Sequence, residues 1–337
     1  MLTKKPSKLF QAGIAGIGSA VPERVMTNAD WAKLVDTSDE WIRTRTGIEE
    51  RRICDANTAA SDLAFLAAQR ALQDARLAPE EIELIVVATT TPDYPVFPSV
   101  AALLQNRLGC AQAGGFDLSA ACSGFGYSFY TAAQFIENGE FQKVLLVCVD
   151  TLSKNMDHTD RNVCVLFGDG ASALVLTRAE AGYGHLASII GLRGSGANEL
   201  IIKSGGSRAP LTEANFSSKD RFIYMDGKAV FKFAVQIMGE ATEQAIHKAG
   251  FTSKDIDFFV PHQANTRIID AAMKRLDFAP EKVIVNIQKY GNTSSASIPL
   301  ALDEAYRAGK IKKGALIATC GFGAGLSWTA NVLRWSK

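Results

Sequence analysis

The sequence predicts an α/β protein of 337 residues built from two copies of one unit. Three observations carry this. First, apolar β-branched runs alternate with helical periodicities along the whole chain, which favours crossover helices and parallel pairing within each sheet. Second, ordered segments recur. EEIELIVVA at 80–88 matches KDIDFFVPH at 254–262, with Ile82 over Ile256 at an offset of 174. GDGASALVL matches GAGLSWTANVL, with Gly168 over Gly323. Third, residues 114–136, GGFDLSAACSGFGYSFYTAAQFI, change period midway. They match the segment around YGNTSSASIPLALDEA at an offset of 170, which puts Val147 over Ile317 and Cys122 over Asn292.

The elements follow in order. Residues 1–9 read as a loose tail. FQAGIAGIGSAV at 10–21 is a first strand, and Asn28-Ala29-Asp30 and Thr37-Ser38-Asp39 read as helix caps. An Ala-rich amphipathic helix spans 60–76, and a buried strand spans Ile82–Ala88. TTTPDYPVFPS is a loop by its prolines, and a helix spans 99–108. In the key stretch, Phe116–Leu118 end a strand and Ser119–Ala121 turn. Phe125, Phe129, Ala132 and Ile136 then share a helix face up to Asn138-Gly139. Val144–Val149 is a further buried strand. The halves are expected at 10–182 and 183–337, with 194–227 a loop-rich insertion lacking a counterpart.

Composition narrows the function. Apolar residues make up 47% and charged residues 21%, an ordinary globular balance. A net charge of +1 excludes a polybasic nucleic-acid binder by bulk charge. The six cysteines form no CxxC pair and no metal-ligand spacing with the four histidines. No metal is expected, the compartment reads as reducing, and the location as cytoplasmic. No apolar run reads as a signal peptide or a membrane span.

Cys122 sits where a strand turns into a helix. Free N–H groups and the positive end of the helix dipole there favour a thiolate. An arbitrary cysteine of this kind is more often core. The repeat changes that weighting. Asn292 occupies the corresponding turn of the other copy, and His262 ends a strand at its C-terminal edge, where open α/β sheets place ligands. Cysteine, histidine and asparagine thus converge by topology. His158, His185 and His247 have no such setting and read as surface or structural.

These residues resemble a known family. ACSGF at Cys122, VPHQAN at His262, YGNTSSAS at Asn292 and GFGAGLSW at 321–328 are similar to the β-ketoacyl-acyl-carrier-protein synthase III family of the thiolase fold. TSDEWIRTRTGI at 37–48 and Asp160-Arg161-Asn162 fit as well. The resemblance implies a five-layer α-β-α-β-α architecture, a homodimer, and no cofactor. It implies condensation of an acetyl-CoA primer with malonyl-acyl-carrier-protein, so the partners are a CoA thioester and an acyl carrier protein. Cys122 would be the nucleophile, with His262 and Asn292 as donors to an enolate. The backbone N–H groups of Cys122 and Ala324 would form the oxyanion hole, and alanine keeps its N–H where a third glycine can stand. Trp41 and Arg161 would stack on adenine, and Arg45 would reach the phosphates. Lys232, Arg267, Lys274 and Arg275 would face an acidic carrier protein, with Arg267 and Lys274 seven apart on one helix face. Phe97 would close the primer pocket of a neighbouring subunit. Elongating synthases use Cys-His-His and thiolases Cys-His-Cys, so Asn292 argues against both. A related condensing enzyme with another primer or product stays open, as does a non-catalytic carrier-binding protein.

Overall fold

A computed structural model describes residues 8–337. Residues 1–7 of the expected tail lie outside that range. Lys8 and Leu9 are held in place: Lys8 Nζ donates to the Glu137 carboxylate at 2.6 Å, and the Leu9 N–H donates to the Glu137 carbonyl at 3.0 Å.

β1 (Gln11–Ala20) opens the first sheet. β2 (Val25–Thr27) and β3 (Glu50–Arg52) pair around α1 (Asn28–Trp31) and α2 (Asp39–Thr46). α3 (Ala60–Ala75), β4 (Leu84–Ala88), α4 (Val100–Leu108), β5 (Gly114–Leu118), α5 (Gly124–Glu137), β6 (Lys143–Asp150) and β7 (Gly170–Ala179) follow. β8 (Gly184–Leu192) starts the second sheet, and β9 (Leu200–Ile201) and β10 (Tyr224–Met225) form a small ribbon after it. α6 (Gly227–Lys248), β11 (Phe258–Pro261), α7 (Thr266–Leu276), α8 (Ile287–Tyr290), α9 (Ser297–Arg307), β12 (Leu316–Gly323) and β13 (Ser327–Arg334) complete the chain.

The sheets run β1-β7-β6-β4-β5 and β11-β12-β13-β8. Parallel pairing, expected throughout, is confined to β4 with β5 and β6 and to β11 with β12. The other ladders of these two sheets are antiparallel. The reason is connectivity: a parallel neighbour needs a crossover, and only residues 324–326 separate β12 from β13.

Packing gives five layers. α3 and α4 cover one face of the first sheet through Leu63, Ala67, Ala71 and Leu104. α6 and α7 cover the far face of the second sheet through Met238, Ile246, Ile269 and Leu276. α5 and α9 lie between the sheets, where Phe125, Phe129, Ile298 and Leu302 share one core with Val86, Leu146, Val260 and Ile317. This is the α-β-α-β-α thiolase fold.

The repeat is confirmed, with a corrected register. The Glu83 N–H donates to the Lys143 carbonyl as the Asp257 N–H does to Leu316. The side-chain cap also recurs, from Lys143 N–H to the Glu83 carboxylate at 3.0 Å and from Leu316 N–H to Asp257 at 2.8 Å. Lys143 therefore corresponds to Leu316, an offset of 173 rather than 170. The same offset relates Ala121 to Ser294, the two turn residues with positive φ, at 47° and 52°. Cys122 thus corresponds to Ser295. Asn292 lies three residues earlier in its turn. The offset of 170 absorbs a length difference between α5 and α9, of 14 and 11 residues.

Phe129 is 1% exposed and stacks on Phe125 with ring centroids 5.7 Å apart. Phe129→Ala is expected to lower stability by about 3–5 kcal/mol, measured by urea denaturation, because the middle layer cannot collapse onto the cavity.

Candidate active site

Cys122 lies in a single 3-10 turn, Ala121–Ser123, that runs directly into α5. The turn is pinned from below. Ser123 Oγ shares a hydrogen with Ser327 Oγ at 2.7 Å, and a Cβ built on Gly323 would stand 2.7 Å from the Cys122 nitrogen. Only glycine allows β12 that close.

The opposing turn supplies the thiol's partners. Asn292 is fixed by its backbone, its N–H donating to Leu166 at 2.9 Å and its carbonyl accepting from Gly168 at 3.0 Å. Its Oδ1 accepts the Ser294 N–H at 2.8 Å, which leaves the amide NH2 as donor. The Asn292 amide and the Ser294 hydroxyl lie close enough to the Cys122 thiol to favour its ionised form. Three residues beyond Ser294, Ser297 Oγ lies 2.6 Å from His262 Nδ1. His262 follows β11, donates its backbone N–H to Cys320 at 2.8 Å, and packs edge-on against Phe322 at 5.3 Å. One segment, 292–297, therefore touches both other groups. Asn292 thus lies at the thiol, and His262 is linked to the same segment through Ser297.

Burial dominates the electrostatics. It pushes the Cys122 thiol up to about 12. The Asp150 charge adds to this, while hydrogen bonds from Ser294, Asn292 and the cysteine's own N–H oppose it. The helix-start argument pointed to a thiolate, and here desolvation outweighs it. Burial likewise pushes His262 down to about 3, so the imidazole is neutral at ordinary pH. Among the described residues no group of three or more His, Cys, Asp or Glu side chains converges as a metal site.

A cavity of about 180 Å³ opens at the sulfur. Thr90, Cys122, Ser294 and Ala324 line one side, and Leu152, Phe167, Leu200, Ile201 and Ile223 line the rest. The segment expected to be a loop-rich insertion thus forms an apolar wall. Sequence reading missed these residues, because elements this short leave no periodicity. It also missed Ser294 and Ser297, although a run of hydroxyls at a buried helix start was a usable signal. Ala324 has no positive φ, so the alanine sits there unstrained. A wider groove of about 830 Å³ beside α9 is lined by Arg70, Asp303, Glu304 and Arg307 and includes none of the three converging residues.

His262 and Asn292 do not line this cavity, and neither do the remaining expected residues. The Arg45 and Arg161 guanidinium carbons lie 4.9 and 5.3 Å from the Trp41 ring centroid. A base sandwiched between Trp41 and Arg161 needs two contacts of about 3.5 Å each, so Arg161 must swing outward from Asp36 to admit it. Lys232 on α6 and Arg267 and Lys274 on α7 are exposed. Arg275 is spent on Glu240 at 3.5 Å and Glu243 at 3.6 Å, which weakens its claim to a basic patch. Phe97 is 81% exposed and does not line this chain's cavity.

Comparison with known proteins is decisive at this point. Residues 116–194 match the family described as 3-oxoacyl-[acyl-carrier-protein] synthase III, and residues 246–335 match its C-terminal counterpart. The β-ketoacyl-[acyl-carrier-protein] synthase III of Caldanaerobacter subterraneus subsp. tengcongensis is 53% identical over 326 residues, 97% of this chain and 98% of that one. The chain belongs to the synthase III family. The solved synthase III of Thermus thermophilus is 50% identical with a TM-score of 0.90, covering 96% of this chain and 99% of that one. That of Aquifex aeolicus VF5 is 45% identical with a TM-score of 0.89, over 96% and 100%. Members of this family are acyltransferases, and this chain carries the fold over nearly its full length.

Two predictions follow from the geometry. Gly323→Ala is expected to slow acylation of Cys122 by about 100-fold, read by mass spectrometry, because the new methyl displaces the turn by a fraction of an ångström. The second concerns pH. His262 is depressed in the folded state, so below about pH 6.5 the unfolded chain takes up a proton that the folded chain refuses. Stability should fall as pH drops from 6.5 towards 3, and His262→Gln should flatten that slope in urea titrations. The slope is reduced and not abolished, since buried His185 is lowered too.

Proposed function

We propose that this protein condenses a short acyl-CoA primer, acetyl-CoA by default, with malonyl-acyl-carrier-protein, starting type II fatty acid synthesis through an acyl-Cys122 intermediate. The observation that carries the reading is the meeting of Asn292 and Ser294 with the Cys122 thiol at a cavity lined mostly by apolar side chains.

The chemistry divides into two halves. The Cys122 sulfur attacks the primer carbonyl, the C–S bond to CoA breaks, and the thiol proton leaves with the CoA sulfur. The backbone N–H groups of Cys122 and Ala324 receive the oxyanion. Malonyl thioester then loses carbon dioxide, and the electrons of the broken C–C bond become an enolate. Enolate oxygen requires donors. The Asn292 amide is one. His262 is the other, in a defined tautomer. We take the Ser297 hydroxyl, 2.6 Å from Nδ1, as the donor to that nitrogen, which leaves the proton on Nε2. A neutral imidazole donates that hydrogen without adding a charge that would trap the enolate. The enolate carbon attacks the acyl carbonyl, and the sulfur leaves as thiolate to be reprotonated.

Cavity size supports a short primer. An apolar cavity of about 150 Å³ holds one benzene, and about 180 Å³ is of that order. An acetyl or small branched acyl group fits, whereas a long chain needs the walls to move.

The open edge of the first sheet supports a homodimer. β5 is that edge, with Gly114 and Gly115 exposed, and a bare ladder invites a second copy. Asp117 of β5 accepts the N–H groups of Val100 and Ala101, which tethers the Phe97 loop beside the same edge. Paired through β5, each copy would present Phe97 to the other's cavity. Exposed Lys232, Arg267 and Lys274 would steer an acidic carrier protein, and Trp41, Arg45 and Arg161 would hold CoA. A location in the cytoplasm accords with substrates made there.

Cys122→Ser is expected to abolish the acetyl adduct seen by intact mass spectrometry. His262→Ala and Asn292→Ala should keep that adduct and lose malonyl decarboxylation by at least about 100-fold. Full condensation by Cys122→Ala would refute the reading, and an absent adduct in the unmodified protein would favour a carrier-binding role.

A further inference from the structure

Asp150 is buried at 0% exposure where β6 ends, and among the described residues it has no cationic partner. Its carboxylate is nevertheless saturated with donors, divided by oxygen. Oδ1 accepts the Thr90 N–H at 2.8 Å and the hydroxyls of Thr90 at 2.9 Å and Thr91 at 3.2 Å. The Thr89 hydroxyl approaches it at 3.4 Å. Oδ2 accepts the Ser295 hydroxyl at 2.7 Å and its N–H at 3.2 Å. One oxygen thus grips the loop after β4, in the first sheet's half. The other grips the turn that carries Asn292 and Ser294. Thr90 lines the cavity, and Ser294, next to Ser295, meets the nucleophile.

A buried carboxylate without a cation is costly, and an apolar residue would fill the site more cheaply. The carboxylate has a use that an apolar residue cannot serve. The two turns belong to different repeats; backbone bonds to Leu166 and Gly168 hold Asn292 to the first half, and the Asp150 side chain ties the Ser295 end of that turn to the loop after β4. Two oxygens, each with several donors, define that position in more than one direction.

We propose that Asp150 is a positioning residue for condensation, clamping the Asn292–Ser295 turn against the Thr89–Thr91 loop so that the donors face the nucleophile. The inference rests on the reading of Asn292 as an enolate donor. It adds an electrostatic signature, because the clamp brings a fixed negative charge beside Cys122. Asp150 is the charged group acting on the thiol. His262 is neutral, and the other groups acting on the thiol, the Ser294 hydroxyl and the Asn292 amide, carry no charge. The charge opposes the thiolate, so removing it should make the sulfur easier to ionise.

The test compares Asp150→Asn with Ser295→Ala in the full chain. Asp150→Asn keeps the shape, removes the charge, and turns one acceptor into a donor facing Ser295. Ser295→Ala removes a grip and leaves the charge. Malonyl decarboxylation is expected to fall by about 10- to 100-fold in Asp150→Asn, with acetylation of Cys122 much less affected. The pH profile of Cys122 alkylation by iodoacetamide should move to lower pH in Asp150→Asn and stay in place in Ser295→Ala, whose decarboxylation should fall by a smaller factor. A thermal melt confirms that each variant is folded. If Asp150→Asn does not fold, Ser295→Ala alone decides: unchanged decarboxylation overturns the proposal. Equal losses of acetylation and decarboxylation in a folded variant overturn it too, as does an unmoved alkylation profile in Asp150→Asn. Asn292→Ala serves as reference. If it decarboxylates normally, the reading of the site fails and this inference with it. If it is dead while Asp150→Asn is normal, only this inference fails.

Discussion

The middle layer is the constraint on which the site depends. α5 and α9 are sandwiched between two sheets, and their apolar faces share one core. Helices enclosed in this way cannot tilt to separate their N-terminal turns. Small residues let those turns meet. A Cβ on Gly124 would stand 3.1 Å from the Ser295 side chain and 3.2 Å from that of Ala88. Contact between the turn at Cys122 and the turn at Asn292 is therefore a consequence of layer packing. The chemistry needs both repeats because the layer does.

The same burial sets the charge states. A thiol and an imidazole removed from water both relax to their neutral forms, the thiol by a raised and the imidazole by a lowered affinity boundary. A neutral pair suits a reaction whose charge is transient. A permanent imidazolium would hold the enolate too firmly, and a permanent thiolate would stay open to oxidation between turnovers. The donors are preset instead, and they become valuable when an oxyanion or enolate appears beside them.

Much of this was legible in the chain. Strand and helix periods, the repeated segments and the convergence of Cys122, His262 and Asn292 follow from residue patterns with short-range causes. Three things did not. Register within the repeat depended on helix length, and an error of three residues is invisible when both candidate partners are small and polar. Antiparallel outer ladders depended on a missing crossover, which periodicity does not report. The apolar wall of Leu200, Ile201 and Ile223 comes from a two-residue strand and the chain just before its partner, too short for alternation to be read. The charge state of Cys122 was misjudged for a different reason. A helix start is a local feature, whereas desolvation depends on everything packed around it.

The corrected register also bears on why the proposed nucleophile stands on one turn and not on its twin. Ser295 stands where Cys122 stands in the other repeat, on an equally strained turn, ahead of an equally buried helix. Its hydroxyl is occupied by Asp150 and the Ala88 carbonyl, so it is sealed off from the cavity. Cys122 has no such carboxylate partner and faces open space. The second turn instead presents Ser294 and Asn292, the residues before the twin position. Duplication supplied two similar turns. Asp150 commits one of them to support, and the asymmetry leaves a single nucleophile opposite a set of donors.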